Sequence, residues 1–367
     1  MKRFSLKNKL WGAMFSTILL GMIVTSCSMM DTDRSDCPEG LYVNFVYDYN
    51  IQRADMFKDH VGYVTVYVFD ESDNLVIKRS VGNYGSDSPL KTYGYQMHFT
   101  SEELPAGTYH LMALAMQKDW DEALGTPGAK YRRTEPSSRG TAKSDISVTL
   151  DRGAKNADKL CPVSSEAPMD TLWHGTMRNA SSVTVTPGKP SYATLSMVRD
   201  TKRLNVTIRD IDAPADPSHD KYALTITAKN GRLDCDNNLV ADDSLLYTPF
   251  AAWTTQFPDD GSTVEERTAH YDIDFNRVMY RSATENDAVL RIVNLSDGKL
   301  IGEFDLAYIL SEGRSAFETQ SYSRQEYLDR EYNYHLDFFL KGDRWCYVAI
   351  SVGILSWTRR IENKELK

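Results

Sequence analysis

From Leu41 onward the apolar positions of this chain recur every second residue. Leu41, Val43, Phe45 and Tyr47 share one face of an extended segment, and residues 63–69 form an unbroken β-branched and aromatic run. That run closes on Asp70-Glu71-Ser72-Asp73-Asn74 and resumes with Leu75-Val76-Ile77, the signature of two strands joined by a polar hairpin turn. Tyr93, Tyr95, Met97 and Phe99 alternate again, Pro105-Ala106-Gly107-Thr108 marks a turn, and Tyr109, Leu111, Ala113 and Ala115 follow on one face. Residues 117–142 lose the pattern and read as a long polar excursion. Short strands return at 146–150, 182–186 and 192–198, and 204–208 alternates cleanly. The style then repeats at 222–228, 271–275, 289–293, 300–306, 332–340 and 345–352, while helix is confined to short candidates at 53–59 and 324–329. Strands at this spacing, without interleaved helical patterns of 10 to 15 residues, predict an all-β chain of two tandem antiparallel β-sandwiches, residues 37–199 and 200–367. The boundary falls near Asp200, between two strands and without a linker. No tandem period of 20 to 50 residues marks a solenoid or propeller.

The first 36 residues follow a different rule. Lys2, Arg3, Lys7 and Lys9 precede an apolar run over 10–24, and Val24-Thr25-Ser26-Cys27 places small residues just before a cysteine. This is a lipoprotein signal peptide over 1–26, with Cys27 as the lipidated residue and 27–36 as a polar tether. The apolar run is near 15 residues and interrupted by Gly12, Ser16, Thr17 and Gly21, short of the roughly 20 residues that span a bilayer. Several acyl chains on Cys27 anchor stably where one does not. Cleavage removes four positive charges and no negative ones, taking the formal net charge from −9 to −13. A chain so acidic repels phosphate backbones, so no nucleic-acid partner is expected, and the membrane contact runs through the lipid.

Four further cysteines remain. Cys37, Cys161, Cys235 and Cys346 allow two disulfides in an exported protein, with three connectivities open. Bridges kept within each half would be Cys37–Cys161 and Cys235–Cys346; the alternative is buried free thiols acting as small hydrophobes. No CxxC supports a zinc ribbon or redox motif, and the seven histidines include no HExxH or HxxxH pair. The nucleophile elbow, Walker A loop and GxGxxG are absent as well, so no cofactor, metal or catalytic residue is implied. Asp70 to Asn74 lacks calcium-loop spacing and reads as a hairpin turn. Asp272 and Asp274 lie two apart on one strand face, where an exposed polar face is a commoner cause than paired catalytic carboxylates. Most of the 21 tyrosines fall at alternate strand positions, as core.

Several segments resemble the FimB/Mfa2 family of Bacteroidetes fimbrial anchor subunits, the base proteins of type V pili. They are Asp36-Cys37-Pro38-Glu39-Gly40-Leu41-Tyr42-Val43, 64–70, Leu104-Pro105-Ala106-Gly107-Thr108-Tyr109, Leu172-Trp173-His174-Gly175, Tyr327-Leu328-Asp329-Arg330-Glu331 and the tail from Trp345 to Trp357 with Ile361-Glu362-Asn363. The resemblance implies two transthyretin-like domains and a non-enzymatic outer-membrane lipoprotein, exposed at the cell surface, that anchors a fimbria and terminates its elongation. Its partners would be fimbrial stalk subunits, joined by β-strand complementation. An anchor keeps its first strand, here 41–47, whereas a stalk subunit of the family loses that strand to proteolysis and accepts a donor in its place. Arg53 lies just beyond the strand as a potential trypsin-like processing site. If the seat stays filled, the chain joins a pilus only by donating a strand, and the terminal segment around Ile354, Leu355, Trp357 and Ile361 is the candidate donor. A stalk or tip subunit of the same system and a glycan-binding surface lipoprotein are the alternatives.

Overall fold

The computed structural model describes residues 38–134, 136, 139–211, 217–257, 266–281, 288–341, 344–352 and 357–362. Its first sheet runs in the order β3 (Leu75–Gly82), β2 (Tyr63–Phe69), β5 (Gly107–Met116), β9 (Leu172–Met177), β11 (Pro190–Arg199), β1 (Gly40–Val46) and β4 (Gln96–Phe99), with β10 (Val183–Val185) pairing to β5. All seven residues of β2 are buried, which explains its unbroken apolar run. On one face Val64, Val66 and Val68 join a core with Leu41, Val43, Phe45, Leu111, Ala113, Trp173 and Leu195. This core is closed by Phe57, from the short helix α1 (Phe57–His60), and by Leu90 and Leu104. On the other face Tyr63, Tyr67, Phe69, Met112, Leu114 and Leu172 belong to a second core that continues into the rest of the molecule. Thr65, the polar member of that face, is fully buried and answers its hydroxyl with Ser80 at 2.8 Å and Arg133 at 2.8 Å.

The second half is built on a six-stranded sheet: β16 (Ala251–Phe257), β17 (Glu266–Asn276), β12 (Thr201–Asp210), β20 (Asn333–Lys341), β21 (Arg344–Val352) and β22 (Trp357–Glu362). Facing it is the sheet β19 (Leu300–Asp305), β18 (Ala288–Asn294), β13 (Tyr222–Ala228), β15 (Leu245–Tyr247) and β8 (Cys161–Pro162). Leu204, Val206, Ile208, Tyr271, Ile273, Leu336 and Phe338 meet Leu224, Ile226, Leu290 and Ile292 in one core. Most pairs are antiparallel, as expected, but β1–β11, β12–β20 and β15–β8 are parallel. The first strand of each half is thus flanked by a parallel and an antiparallel neighbour.

The chain passes from β11 directly into β12 at Asp200, where the boundary was expected, yet strand pairing crosses that line. The excursion contributes β6 (Tyr131–Arg133), which forms a small sheet with the expected strand β7 (Ser147–Leu150) and with β14 (Arg232–Asp234), while β8 extends the sheet of β15. The expected disulfide Cys235–Cys346 is not formed. Cys235 follows β14 whereas Cys346 sits on β21 of a different sheet, and both are free thiols. Cys161 is also free, and its expected partner Cys37 lies outside the described residues. Cys161 and Cys235 are buried as small apolar groups. Burial pushes the Cys235 thiol up to about 11, which disfavours the reactive thiolate.

A buried polar seam ties the halves together. Asp200 accepts from His174 Nδ1 at 2.8 Å and Asn237 Nδ2 at 2.9 Å, and all three residues are buried. Two positions on, Lys202 donates to the carbonyls of Asp329 at 2.9 Å and Glu331 at 2.8 Å. Arg277 grips the Asp329 carboxylate with two bonds of 2.6 and 2.8 Å. Burial pushes the Lys202 ammonium down to about 8, below the ~10.4 of an unfolded lysine. Between those values the unfolded chain holds more protons, so the contribution of Lys202 to stability rises with pH from about 8 to about 10 and is flat below. Urea unfolding at pH 7 and pH 9.5 should show the parent gaining stability relative to Lys202→Met over that interval; a constant difference would contradict it. Arg277→Met, which strands a buried carboxylate, should cost about 3 kcal/mol in the same assay.

Candidate functional site

The surfaces that bear on strand exchange lie at the two ends of the described chain. At the N-terminal end Gly40 opens β1 with φ +86°, and a side chain there would meet the Phe99 carbonyl at 2.3 Å, so only glycine fits. Gly40 to Val46 pairs in parallel with Pro190 to Ser196, and Leu41 to Asn44 pairs antiparallel with Phe99 to Gln96. Asn44 binds Gln96 across the pair at 2.8 Å. Leu41, Val43 and Tyr47 are fully buried and Phe45 nearly so, with Tyr47 edge-on to Trp173 at 6.0 Å. The first strand is therefore an interior strand of a completed sheet.

The loop after it is closed just as firmly. Asn50, fully buried, donates to the carbonyls of Tyr47 at 2.6 Å and Ala54 at 2.8 Å. Asp55 accepts from the Tyr47 amide at 2.9 Å and the Phe57 amide at 3.0 Å. Arg53 sits in this loop with φ +56°, a conformation uncommon outside glycine. Its guanidinium lies 4.3 Å from the ring centre of Phe317 on α4 (Ala316–Ser321) and 5.1 Å from that of Tyr322. The candidate processing site is thus exposed, yet its backbone is a tight turn and its side chain is stacked on the other half.

At the C-terminal end β21 is an interior strand between β20 and β22. The expected donor segment enters here. Trp357 begins β22 and pairs with Val352, Ile361 pairs with Val348 and is buried at 3% exposure, while Ile354 and Leu355 lie outside the described residues. β22 is held on one side only, as the edge of its sheet. Arg359 pairs with Glu312, which follows α3 (Leu306–Ser311), and Arg360 stacks 3.7 Å over Tyr347. Cys27 lies outside the described residues.

The remaining sequence candidates resolve into structural roles. Asp274 is buried, held bidentately by Arg203 at 2.7 and 2.9 Å, and accepts the Met169 amide at 2.9 Å from across the boundary. Asp272 is half-buried, and burial pushes its carboxyl up. The Asp274 carboxylate is thus taken up by structural partners. Asp70 caps its own hairpin, accepting the amides of Ser72 and Asn74 at 2.9 Å each.

Residues 34–363 match the family described as fimbrillin-A associated anchor proteins Mfa1 and Mfa2. The chain belongs to this family. No curated protein matches it. Among solved structures, a Bacteroides thetaiotaomicron protein provisionally described as polysaccharide-binding is 26% identical, with a TM-score of 0.68 over 89% of this chain and 99% of its own. A provisionally described adhesin of the same organism is 25% identical, with a TM-score of 0.70 over 90% and 100%. The fimbrial anchor protein Mfa2 of Porphyromonas gingivalis, at 16% identity, shares the fold with a TM-score of 0.58 over 88% and 99%. As a member of the Mfa1/Mfa2 anchor family, the chain is a fimbria-associated protein of the cell surface.

Cleavage after Arg53 requires the loop to open, because its amides and carbonyls are tied back to Tyr47 and Asn50. Brief trypsin treatment of the native protein should yield no fragment beginning at Ala54, and Asn50→Ala should release that fragment several-fold faster. Rapid appearance of the Ala54 terminus in the parent protein would show the loop to be a processing site.

Proposed function

We propose that this chain is the non-enzymatic anchor of a fimbria, tethered to the outer membrane by lipid on Cys27 and closing the fibre by refusing a further subunit. The observation that carries the reading is the filled seat of β1. Strand complementation needs a vacancy between two strands, and here the position between β11 and β4 is occupied by the chain's own first strand, buried on its core face. An assembly that adds subunits by strand transfer stops at such a unit.

The same logic directs the partner contact to the other end of the chain. β22 is the edge strand of its sheet, and among the described residues lifting it breaks one ladder, the burial of Ile361, the Arg359–Glu312 pair and the stacking of Arg360 on Tyr347. Donation then means that β22 leaves its own sheet and that the segment carrying Ile354, Leu355, Trp357 and Ile361 pairs with a stalk subunit, main-chain bonds setting affinity and the apolar side chains setting register. In this reading the lipid on Cys27 does the holding; no helix among the described residues is long and apolar enough to cross a membrane.

Two variants separate the two ends of this mechanism. Cys27→Ala should leave a folded protein that no longer sediments with outer membranes in high salt; continued sedimentation would refute lipid anchoring. Truncation after Gly353 should leave a membrane-bound protein while fimbriae appear in the medium or lengthen. Normal, cell-attached fimbriae in that strain would rule out donation by the terminal strand while leaving the anchoring reading standing.

A further inference from the structure

Where the loop after β1 meets the second half, a solvent-facing cleft of about 480 Å³ collects three arginines in a chain whose net charge is −9. Arg330, at the end of α5 (Arg324–Arg330), is only 17% exposed, and its guanidinium lies 4.1 Å from the ring centre of Tyr49 and 4.6 Å from that of Tyr322. Arg53 stacks on Tyr322 from the opposite half. Stacking occupies the flat faces of both guanidinium groups and fixes them, leaving their N–H edges as the groups able to take a carboxylate. Acidic neighbours offset part of this charge: Arg330 pairs with Glu326 at 3.0 Å, and Arg178 on the opposite wall pairs with Asp48 at 2.8 Å. No carboxylate among the described residues pairs with Arg53, so its charge is the one left for a ligand. The left-handed φ of Arg53 is a local strain that the loop maintains at this spot.

We propose that this cleft binds an acidic saccharide, its carboxylate on the edge of Arg53 with Arg330 behind, and its hydroxyls on Asn179, Ser196 and Ser321. A saccharide fits better than a peptide because the lining contains no aliphatic side chain to receive an apolar anchor, while it offers hydroxyl and amide partners beside the guanidinium groups. The volume accommodates one or two sugar rings. The proposal is independent of fimbrial anchoring, since neither the lipid nor β22 takes part in it.

Calorimetric titration of the full-length chain in detergent with trigalacturonic acid tests it, with the methyl-esterified trimer and tetraglutamate as comparison ligands. Trigalacturonic acid should bind, the esterified trimer at least about tenfold more weakly, and added salt should weaken the binding. Arg53→Asn keeps a residue that tolerates the left-handed turn and should lower affinity about tenfold in a protein with unchanged melting temperature. Arg330→Gln should also weaken binding, with some loss of melting temperature because its stacking and its pair with Glu326 go too, and Arg291→Gln on β18, remote from the cleft, should leave binding unchanged. Absence of binding at about 10 mM, or binding unchanged in Arg53→Asn, would overturn the proposal. Tetraglutamate binding as tightly as the sugar would make the cleft an acidic-peptide site and overturn the saccharide assignment.

Discussion

The seating of the first strand governs the N-terminal half of this molecule. Leu41, Val43, Phe45 and Tyr47 each bury a large side chain, and at roughly 1.5–3 kcal/mol apiece their gross contribution is about 6–12 kcal/mol. That is comparable with the whole net stability of an ordinary domain, about 5–15 kcal/mol. A sheet with so much vested in one strand cannot persist with that seat empty; it keeps its own strand or takes an equivalent one. The short loop that follows, pinned by Asn50 and Asp55, makes keeping it the resting condition.

The second organising element is the polar seam. A carboxylate as deeply buried as that of Asp200 is tolerated because His174 and Asn237 supply donors to it, and the Asp329 carboxylate because Arg277 does. These groups come from β9, from the turn after β14, from β17's C-terminal flank and from α5. Satisfying them requires both halves to be in place at once, and the shared strands β6, β7 and β8 add hydrogen-bonded ladders to the same requirement. The two halves thus share one network of buried bonds and strand pairs.

The parts that were legible in the sequence are those whose physics is local. Alternation marked β1, β13 and β20 to within a residue and the middle of β12, which begins three residues earlier, and the unbroken run over 63–69 marked β2. Three-residue strands such as β6, β14 and β15 carry too few positions to show a period, and β16 buries no residue and shows no alternation of apolar and polar positions, so none was visible. The parallel pairing of β1 with β11 has no local signal, since it joins positions 150 residues apart. Leu306-Ala307-Tyr308-Ile309 continues the apolar texture of β19 but turns into helix because Asp305 caps the Tyr308 amide. Helix at 53–59 was expected earlier than it begins, the chain first making the turn at Arg53. The arginines of the cleft, at 53, 178 and 330, share no motif; only the fold gathers them.

The same parallel pairing sets an order of events as the chain is made. Residue 40 is synthesised long before residue 190, and β4, its other neighbour, offers only four paired positions. Until β11 arrives, the N-terminal strand has no lasting place, and forming the pair closes a loop of about 150 residues, the slow kind of contact in folding. Through that interval the nascent chain presents an apolar strand without a seat and, soon after, a seat that any strand of matching pattern would enter in its place were β1 not covalently at hand. The covalent link, and not affinity alone, keeps the outcome intramolecular.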